Sequence, residues 1–379
     1  MFNEEGWFVE PGEASGSSRW VFFTPQRIAI EQRLRLESSR GRLLIASCRS
    51  GSGLASQVVR RYRELLSVEG GGEGEVLYLE GVDFKFSDTE TCVRLEADVS
   101  GYDVFLFQAL YDPTTGSTVD ENYLALLIAA RAFREWGANS LTAMLPYLAY
   151  ARQDKPTKFK REPATAKLMA DLAAVAGIDR LVTWHPHSDQ IRGFYGSRPV
   201  DGVESLSLFI EEFRGFQGRE EVIAVAPDAG ASKFVTYFSR ALNIRSAIAS
   251  KYRPRPEEAE VSEVIGDFSG KRTAIVLDDM IGTAGTVYAL IRELVEKKGI
   301  EEVYLAVSHN LCLQPAYERL VDLEARYHLK RLILTDSIPQ TEKFKTLPFV
   351  TIRCLADIMA RVINRIHYNR EVSELCYQI

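Results

Sequence analysis

Short apolar runs recur along the chain from Arg42 onward, each followed by a longer stretch in which apolar positions return every three or four residues. The runs predict strands at Leu43–Ser47, Val76–Leu79, Val104–Gln108, Leu141–Pro146, Leu181–Trp184, Val222–Ala226, Ser246–Ala249, Thr273–Leu277, Val303–Val307, Leu332–Thr335 and Val350–Arg353. The wider spacing predicts helices over Gly53–Leu66, Glu121–Trp136, Ala164–Ala176, Ser232–Leu242, Gly285–Lys297 and Asp357–Ile366. The second of these helices points Leu124, Leu127, Ile128 and Phe133 at a core and Arg131 and Arg134 at water, and Gly137 stops it.

Alternating strands and helices predict an α/β fold with mainly parallel sheets flanked by helices. Eleven strands are too many for one ordinary doubly wound sheet. The pattern repeats in two halves that divide near Tyr195–Val203. We therefore expect an N-terminal extension over 1–41, a first domain over 42–202, a second over 203–355, and a last helix within 356–379 that packs back on the first domain.

Composition narrows the class. Of 379 residues, 46% are hydrophobic and 26% charged, as in ordinary globular proteins. With 46 Lys and Arg against 52 Asp and Glu, the net charge is −6, so no global basic field exists for nucleic acid. Cys48, Cys92, Cys312, Cys354 and Cys376 form no CxxC pair, which fits a reducing compartment better than a disulfide framework. No apolar run reaches the ~18 residues of a membrane span, and Met1–Glu10 carries acids where a targeting peptide carries bases. A soluble, cytoplasmic protein is the expectation, with neither membrane nor nucleic acid as partner.

The most informative segment, TAIVLDDMIGTAGT over Thr273–Thr286, is an apolar strand ending in paired carboxylates and running through small residues into a helix. Small residues let the backbone approach a phosphate, and helix N-terminal amides point at it. Asp278 and Asp279 can accept hydrogen bonds from sugar hydroxyls or hold a Mg²⁺-bound ligand. PYLAYARQDKPTKFKREPATAK, over Pro146–Lys167, places Arg152, Lys155, Lys158, Lys160 and Arg161 beyond a strand, either as a solvated loop or as a basic lid over phosphates. In LVTWHPHSDQIRG, His185 and His187 alternate, so both imidazoles can face one ligand or serve as hydrogen-bonded structural residues. VIAVAPDAGASK sets Asp228 at another strand-to-helix turn. In SKYRPR, Lys251 and Arg253 stand two apart, on one side of an extended backbone, where they suit a transferring phosphoryl group.

These segments, with FKFSDTETCVRL over Phe84–Leu95, together resemble the ribose-phosphate pyrophosphokinase family in order and spacing from Leu43 to Ile379. The resemblance implies two tandem phosphoribosyltransferase-type domains in a homo-oligomer, a hexamer or its dimer building block. It implies Mg²⁺-dependent transfer of the β,γ-diphosphoryl group of ATP to the 1-hydroxyl of ribose 5-phosphate. Carried over residue by residue, Lys251, Arg253 and His187 are catalytic. Phe86, Asp88, Glu90, Arg152, Gln153 and His187 hold ATP, the first three from a neighbouring subunit. Asp228, Asp278, Asp279, Thr283, Ala284, Gly285 and Thr286 hold ribose 5-phosphate, and His187, Asp228, His185 and Asp201 surround the cation.

Three positions depart from the family pattern. HPH stands for DLH, so His185 replaces an acid and the cation preference shifts toward Mn²⁺; Gly196 and Gly282 also replace aspartates. Two further readings follow: a phosphoribosyltransferase consuming phosphoribosyl pyrophosphate, which does not need Arg152, His187 and Lys251, and a non-catalytic regulatory paralogue, against which the retained Lys251 and Arg253 count.

Overall fold

Both faces of the strand Leu43–Ser47 are apolar, and each face finds its own core. Leu44 and Ala46 pack into one cluster, Leu43 and Ile45 into another, all at most 2% exposed. That two-sided burial is why the central strands read as continuous apolar runs. The computed structural model describes residues 36–68, 76–255 and 258–373, with the side chains of 251–262 outside that description.

The first sheet contains β1 (Glu37–Ser38), β2 (Gly41–Ser47), β3 (Leu77–Leu79), β6 (Tyr102–Phe107), β7 (Ser140–Met144), β8 (Arg180–Trp184) and β9 (Val200–Val203). Its order is β3-β2-β6-β7-β8-β9, all parallel, with β1 antiparallel on β2. A separate hairpin, β4 (Asp83–Lys85) and β5 (Thr91–Val93), carries the turn from Phe86 to Glu90. The second sheet runs β12-β11-β10-β13-β14-β15-β16, built from β10 (Val222–Ala226), β11 (Arg245–Arg255), β12 (Glu258–Ile265), β13 (Thr273–Ile281), β14 (Glu302–Asn310), β15 (Leu329–Thr335) and β16 (Val350–Arg353). Only its β11–β12 pair is antiparallel. Helices α1 (Ser52–Val68), α2 (Val119–Glu135), α3 (Thr165–Ala176), α4 (Leu206–Glu212), α5 (Ser232–Ala241), α6 (Gly285–Lys298), α7 (Gln314–Arg326), α8 (Glu342–Lys345) and α9 (Ala356–His367) cover the faces.

Several expectations change in detail. The predicted dividing loop Tyr195–Val203 contains β9, which extends the first sheet through Val203, so the sheet outlasts the expected boundary at 202 by one residue. Residues 1–35 lie outside the described residues, but the end of the expected extension is not separate, because β1 pairs with β2. On α2 the core face is Tyr123, Leu126, Ala130 and Phe133, while Leu124, expected inside, is 52% exposed. The helix starts at a capping box, in which Thr118 and Glu121 satisfy each other's backbone amides.

The last helix does pack on the first sheet's α1. Met359, Ile363 and Ile366 meet Val58, Val59 and Tyr62 in one buried cluster, with Arg61 on Asp357 at 2.7 Å and Asn364 on Tyr62 at 3.0 Å. Beneath it, the fully buried Asp103 accepts from both Arg40 nitrogens at 3.1 Å and bonds His367 Nδ1 at 2.9 Å. A buried carboxylate is tolerated only with its partners in place. Asp103→Ala removes the carboxylate shared by Arg40 and His367, leaving them only Ser140 and the Leu36 carbonyl, and we expect urea unfolding to lose about 3 kcal/mol, read as a lower midpoint at unchanged slope.

Candidate active site

Parallel strands end their sheets with a crevice at the carboxyl edge, where loops meet and ligands bind. Here the two sheets turn those edges toward each other. His185 and His187 follow β8, while Asp278 and Asp279 occupy the end of β13. His187 Nδ1 and Asp279 Oδ2 form a short hydrogen bond across the cleft.

The carboxylates are electrostatically unlike. Burial, then the neighbouring charges of Asp279 and Asp228, push Asp278 well above the usual carboxylate range. For Asp279, burial acts upward, but the His187 hydrogen bond and the surrounding imidazoles outweigh it and hold the group well below that range. The same hydrogen bond raises His187 above its ordinary 6.5 against burial. Arg152 and Asp154 also lie near enough to act on the His187 charge, and Arg152 on the buried Tyr147. Asp228 is pinned at the β10–α5 turn by accepting the Gly230 amide at 2.9 Å and the Ala231 amide at 3.3 Å.

The loop after β13 is shaped for close approach. Ala284 caps α6 in the left-handed region at φ 60°, and Arg319 Nη1 fixes the Thr283 carbonyl at 2.6 Å. Thr283 is exposed and Gly285 and Thr286 are half-buried, so the first turn of α6 is open to an anion.

Other expected site residues fall elsewhere. His185 is 8% exposed, and its Nδ1 meets Ser205 at 2.7 Å and Ser308 at 2.5 Å, with Phe234 stacked nearby. Burial drives it down to about 4, and with Nδ1 taken by the two serines the ring packs as a neutral residue behind the cleft. Asp201 pairs with Arg180 at 2.6 Å, in the sheet. Gln153 is exposed, and its backbone amide bonds Tyr150. Phe86, Asp88 and Glu90 form the tip of the β4–β5 hairpin, with Phe86 50% exposed; among the described residues no hydrogen bond or ion pair joins that tip to the His187–Asp279 cluster. Lys251 and Arg253 lie on β11, where Lys251 pairs in register with Val261, and their side chains lie outside the described residues.

Three participants went unnoticed in the sequence. Arg319 lies on α7, a helix that was not predicted; His309 bonds the His185 carbonyl through Nε2 at 3.0 Å; Tyr147 stacks edge-on against His309 with centroids 5.1 Å apart. Of the departures, Gly196 holds φ 63°, which a side chain rarely adopts, so the turn itself depends on glycine. A Cβ at Gly282 would meet only Leu311, at 3.9 Å, so nothing there requires glycine.

Among the described residues no three His, Cys, Asp or Glu side chains converge to hold a metal ion unaided. Asp228 beside the Asp278–Asp279 pair nevertheless fits a hard divalent cation, since Mg²⁺ takes one or two carboxylates and completes its shell with water and phosphate.

A sequence model of the N-terminal domain of ribose phosphate pyrophosphokinase matches residues 43–177, and one of the phosphoribosyl synthetase-associated domain matches residues 228–377. A ribose-phosphate pyrophosphokinase of Fusobacterium nucleatum is 38% identical over 77% of this chain and 88% of its own. The chain belongs to the ribose-phosphate pyrophosphokinase family. The Caldanaerobacter subterraneus enzyme of the same name is also 38% identical, over 76% of this chain and 87% of its own. The crystal structure of phosphoribosylpyrophosphate synthetase from Mycobacterium smegmatis superposes with a TM-score of 0.72 at 30% identity, covering 86% of this chain and 99% of that one. Membership and fold agree with the resemblance drawn from the motifs. No helix among the described residues is long and apolar enough to cross a membrane.

The His187–Asp279 pair sets a pH window. His187, raised, contributes stability fully below 6.5 and loses it as the pH rises through its raised value. Asp279, depressed, contributes above 3.8 and loses it as the pH falls through its lowered value. The pair is therefore whole between those limits. Followed by NMR, the His187 imidazole should titrate above 6.5, and Asp279→Asn should lower that midpoint because burial then acts unopposed.

Proposed function

We infer that the chain is a ribose-phosphate diphosphokinase that transfers the β,γ-diphosphoryl group of ATP to the 1-hydroxyl of ribose 5-phosphate, giving phosphoribosyl pyrophosphate and AMP. The observation that carries this is the His187–Asp279 bond, which joins the side proposed for ATP to the side proposed for ribose 5-phosphate. Asp278 and Asp279 receive the ribose hydroxyls, and the Thr283–Thr286 turn receives the 5-phosphate on its amides. Arg152 and Gln153 serve the ATP side. His187, held by Asp279, keeps a positive edge toward the polyphosphate, and Lys251 and Arg253 on β11 neutralise charge as the diphosphoryl group transfers.

Asp228, beside the Asp278–Asp279 pair, would hold Mg²⁺, with Mn²⁺ as substitute, together with substrate phosphates, while the charged His187 faces those phosphates rather than the ion. When bound, the ion polarises the transferring phosphoryl group and neutralises its oxygens. With His185 packed away, the cation set loses no charge to the HPH sequence, which supports an active enzyme over a regulatory paralogue.

Self-association belongs to the same reading. Leu124 and Leu172, 52% and 39% exposed, share a groove with Leu127 and Met169 between α2 and α3, an apolar face of the type that a second copy covers. A hexamer or its dimer would bring Phe86, Asp88 and Glu90 to a neighbour's ATP site. A cytoplasmic setting accords with this chemistry.

Incubation with ATP, ribose 5-phosphate and Mg²⁺ should yield AMP and phosphoribosyl pyrophosphate. Lys251→Ala should lower kcat by about 100-fold or more while ribose 5-phosphate still binds, because its contact strengthens in the transition state. Near-normal turnover in that variant would remove the assignment. Separately, mixing Lys251→Ala with Glu90→Ala under subunit exchange should restore part of the activity; no complementation despite proven exchange would place the whole site within one chain.

A further inference from the structure

The turn between β13 and α6 holds an uncommon backbone. Ala284 lies at φ 60°, a left-handed conformation that glycine adopts freely and that costs a residue carrying a Cβ. Its methyl is 5% exposed and packs in the second sheet's core with Ile281 and Val287, which accounts for the side chain but not for the backbone angle. Such an angle persists only where the surroundings over-determine it. Ala284 is also the N-cap of α6 and gives the helix amides no side-chain bond, so nothing within the turn itself supplies the missing restraint.

The restraint comes from α7. The Thr283 carbonyl and the Ala284 N–H belong to one peptide plane, and Arg319 Nη1 donates to that carbonyl at 2.6 Å. Flipping this plane is the motion that carries φ of Ala284 from positive to negative, and it breaks the Arg319 bond and reverses the Ala284 N–H. Arg319 is well placed to prevent it. Ala316, Leu320 and Leu323 bury the inner face of α7, and the Tyr288 hydroxyl donates to Asp322 at 2.6 Å, tying α6 to α7 one turn further on. Asp322 pairs with Arg326 and Glu318 accepts from Gln314, so among the described residues no carboxylate draws the guanidinium away. The same Nη1 would stand 3.5 Å from a Cβ built on Gly285, close against the turn.

We propose that Arg319 is a positioning residue for the 5-phosphate, which holds the Thr283–Ala284 peptide in the one orientation that receives a phosphate monoester. It acts through the turn and touches no substrate. The proposal rests on the functional reading above for the identity of the ligand. Without the brace the receptive turn becomes a minor population, and affinity falls by that fraction. An unbraced alanine prefers negative φ by about tenfold, whereas glycine takes either sign about equally, leaving about half of the molecules receptive.

Calorimetric titration of the full chain with ribose 5-phosphate, with steady-state kinetics alongside, tests this. Arg319→Met should weaken ribose 5-phosphate about tenfold and raise its KM to match, while the KM for ATP and the kcat at saturation move by no more than about twofold. Arg319→Lys, which keeps a donor for the carbonyl, should recover most of the loss. In an Ala284→Gly background the same Arg319→Met change should cost only about twofold, because the glycine turn needs no brace. Equal losses in the two backgrounds overturn the proposal, as does an Arg319→Met protein that binds like wild type or that loses ATP and ribose 5-phosphate together. A wild type that binds ribose 5-phosphate in this Arg319-dependent way but forms no phosphoribosyl pyrophosphate defeats the functional reading and leaves the brace standing. A wild type that does not bind ribose 5-phosphate defeats both.

Discussion

The hydrogen-bonded seam between the two sheets positions everything at the cleft. His309, 2% exposed, reaches from β14 to the His185 carbonyl and to Ser337, while His185 reaches back to Ser308. Buried polar groups are stable only when partnered, so these bonds specify one docking of sheet edge on sheet edge. Sliding the edges by one residue would orphan both imidazoles. The seam therefore fixes the distance from β8 to β13, and with it the short bond between His187 and Asp279. His185 itself has φ 39°, a backbone conformation uncommon for a side chain of this size, and the seam is what holds it there.

Charge at the cleft is arranged around that fixed distance. Asp228 and Asp279 both lie close enough to Asp278 to repel it, and Asp279 has the His187 imidazole to answer its own charge. Asp279 takes the imidazole and stays charged, while Asp278, buried and flanked by its neighbours, moves the other way. Adjacent residues in the chain thus have opposite electrostatic tendencies. Carboxyl groups held this close favour a neighbour that brings positive charge or hydroxyl donors.

Much of this was legible in the sequence, for physical reasons. Central parallel strands are buried on both faces, so LLIAS, VFLF and AIVL announce themselves as uninterrupted apolar runs. The strand-to-helix turns combine small residues with acids, which is why Asp228, Asp279 and the Thr283–Thr286 turn stand out in the sequence as candidates. Elements at the edges were less legible. β9 has four residues, two of them Asp201 and Gly202, and β12 alternates three glutamates with apolar positions, a pattern easily read as a loop. Helix α7 did carry a signal, with Ala316, Leu320 and Leu323 buried at helical spacing and a proline in its first turn. Overlooking it hid Arg319.

The HPH segment shows where residue-by-residue inference from a motif reaches its limit. Sequence places two imidazoles on one side of an extended strand, but the backbone turns left-handed at His185, and the two rings part. One goes to the seam and becomes neutral under burial; the other, two residues later, emerges beside Asp279 and gains charge. Replacing an acid at position 185 therefore changes how the sheets are joined more than how a cation is held. An aspartate buried there would need donors for both oxygens, and Ser205 and Ser308 supply hydroxyls that either residue type can use. With a neutral ring at 185 this part of the seam carries no buried charge, while the cleft keeps its own carboxylates.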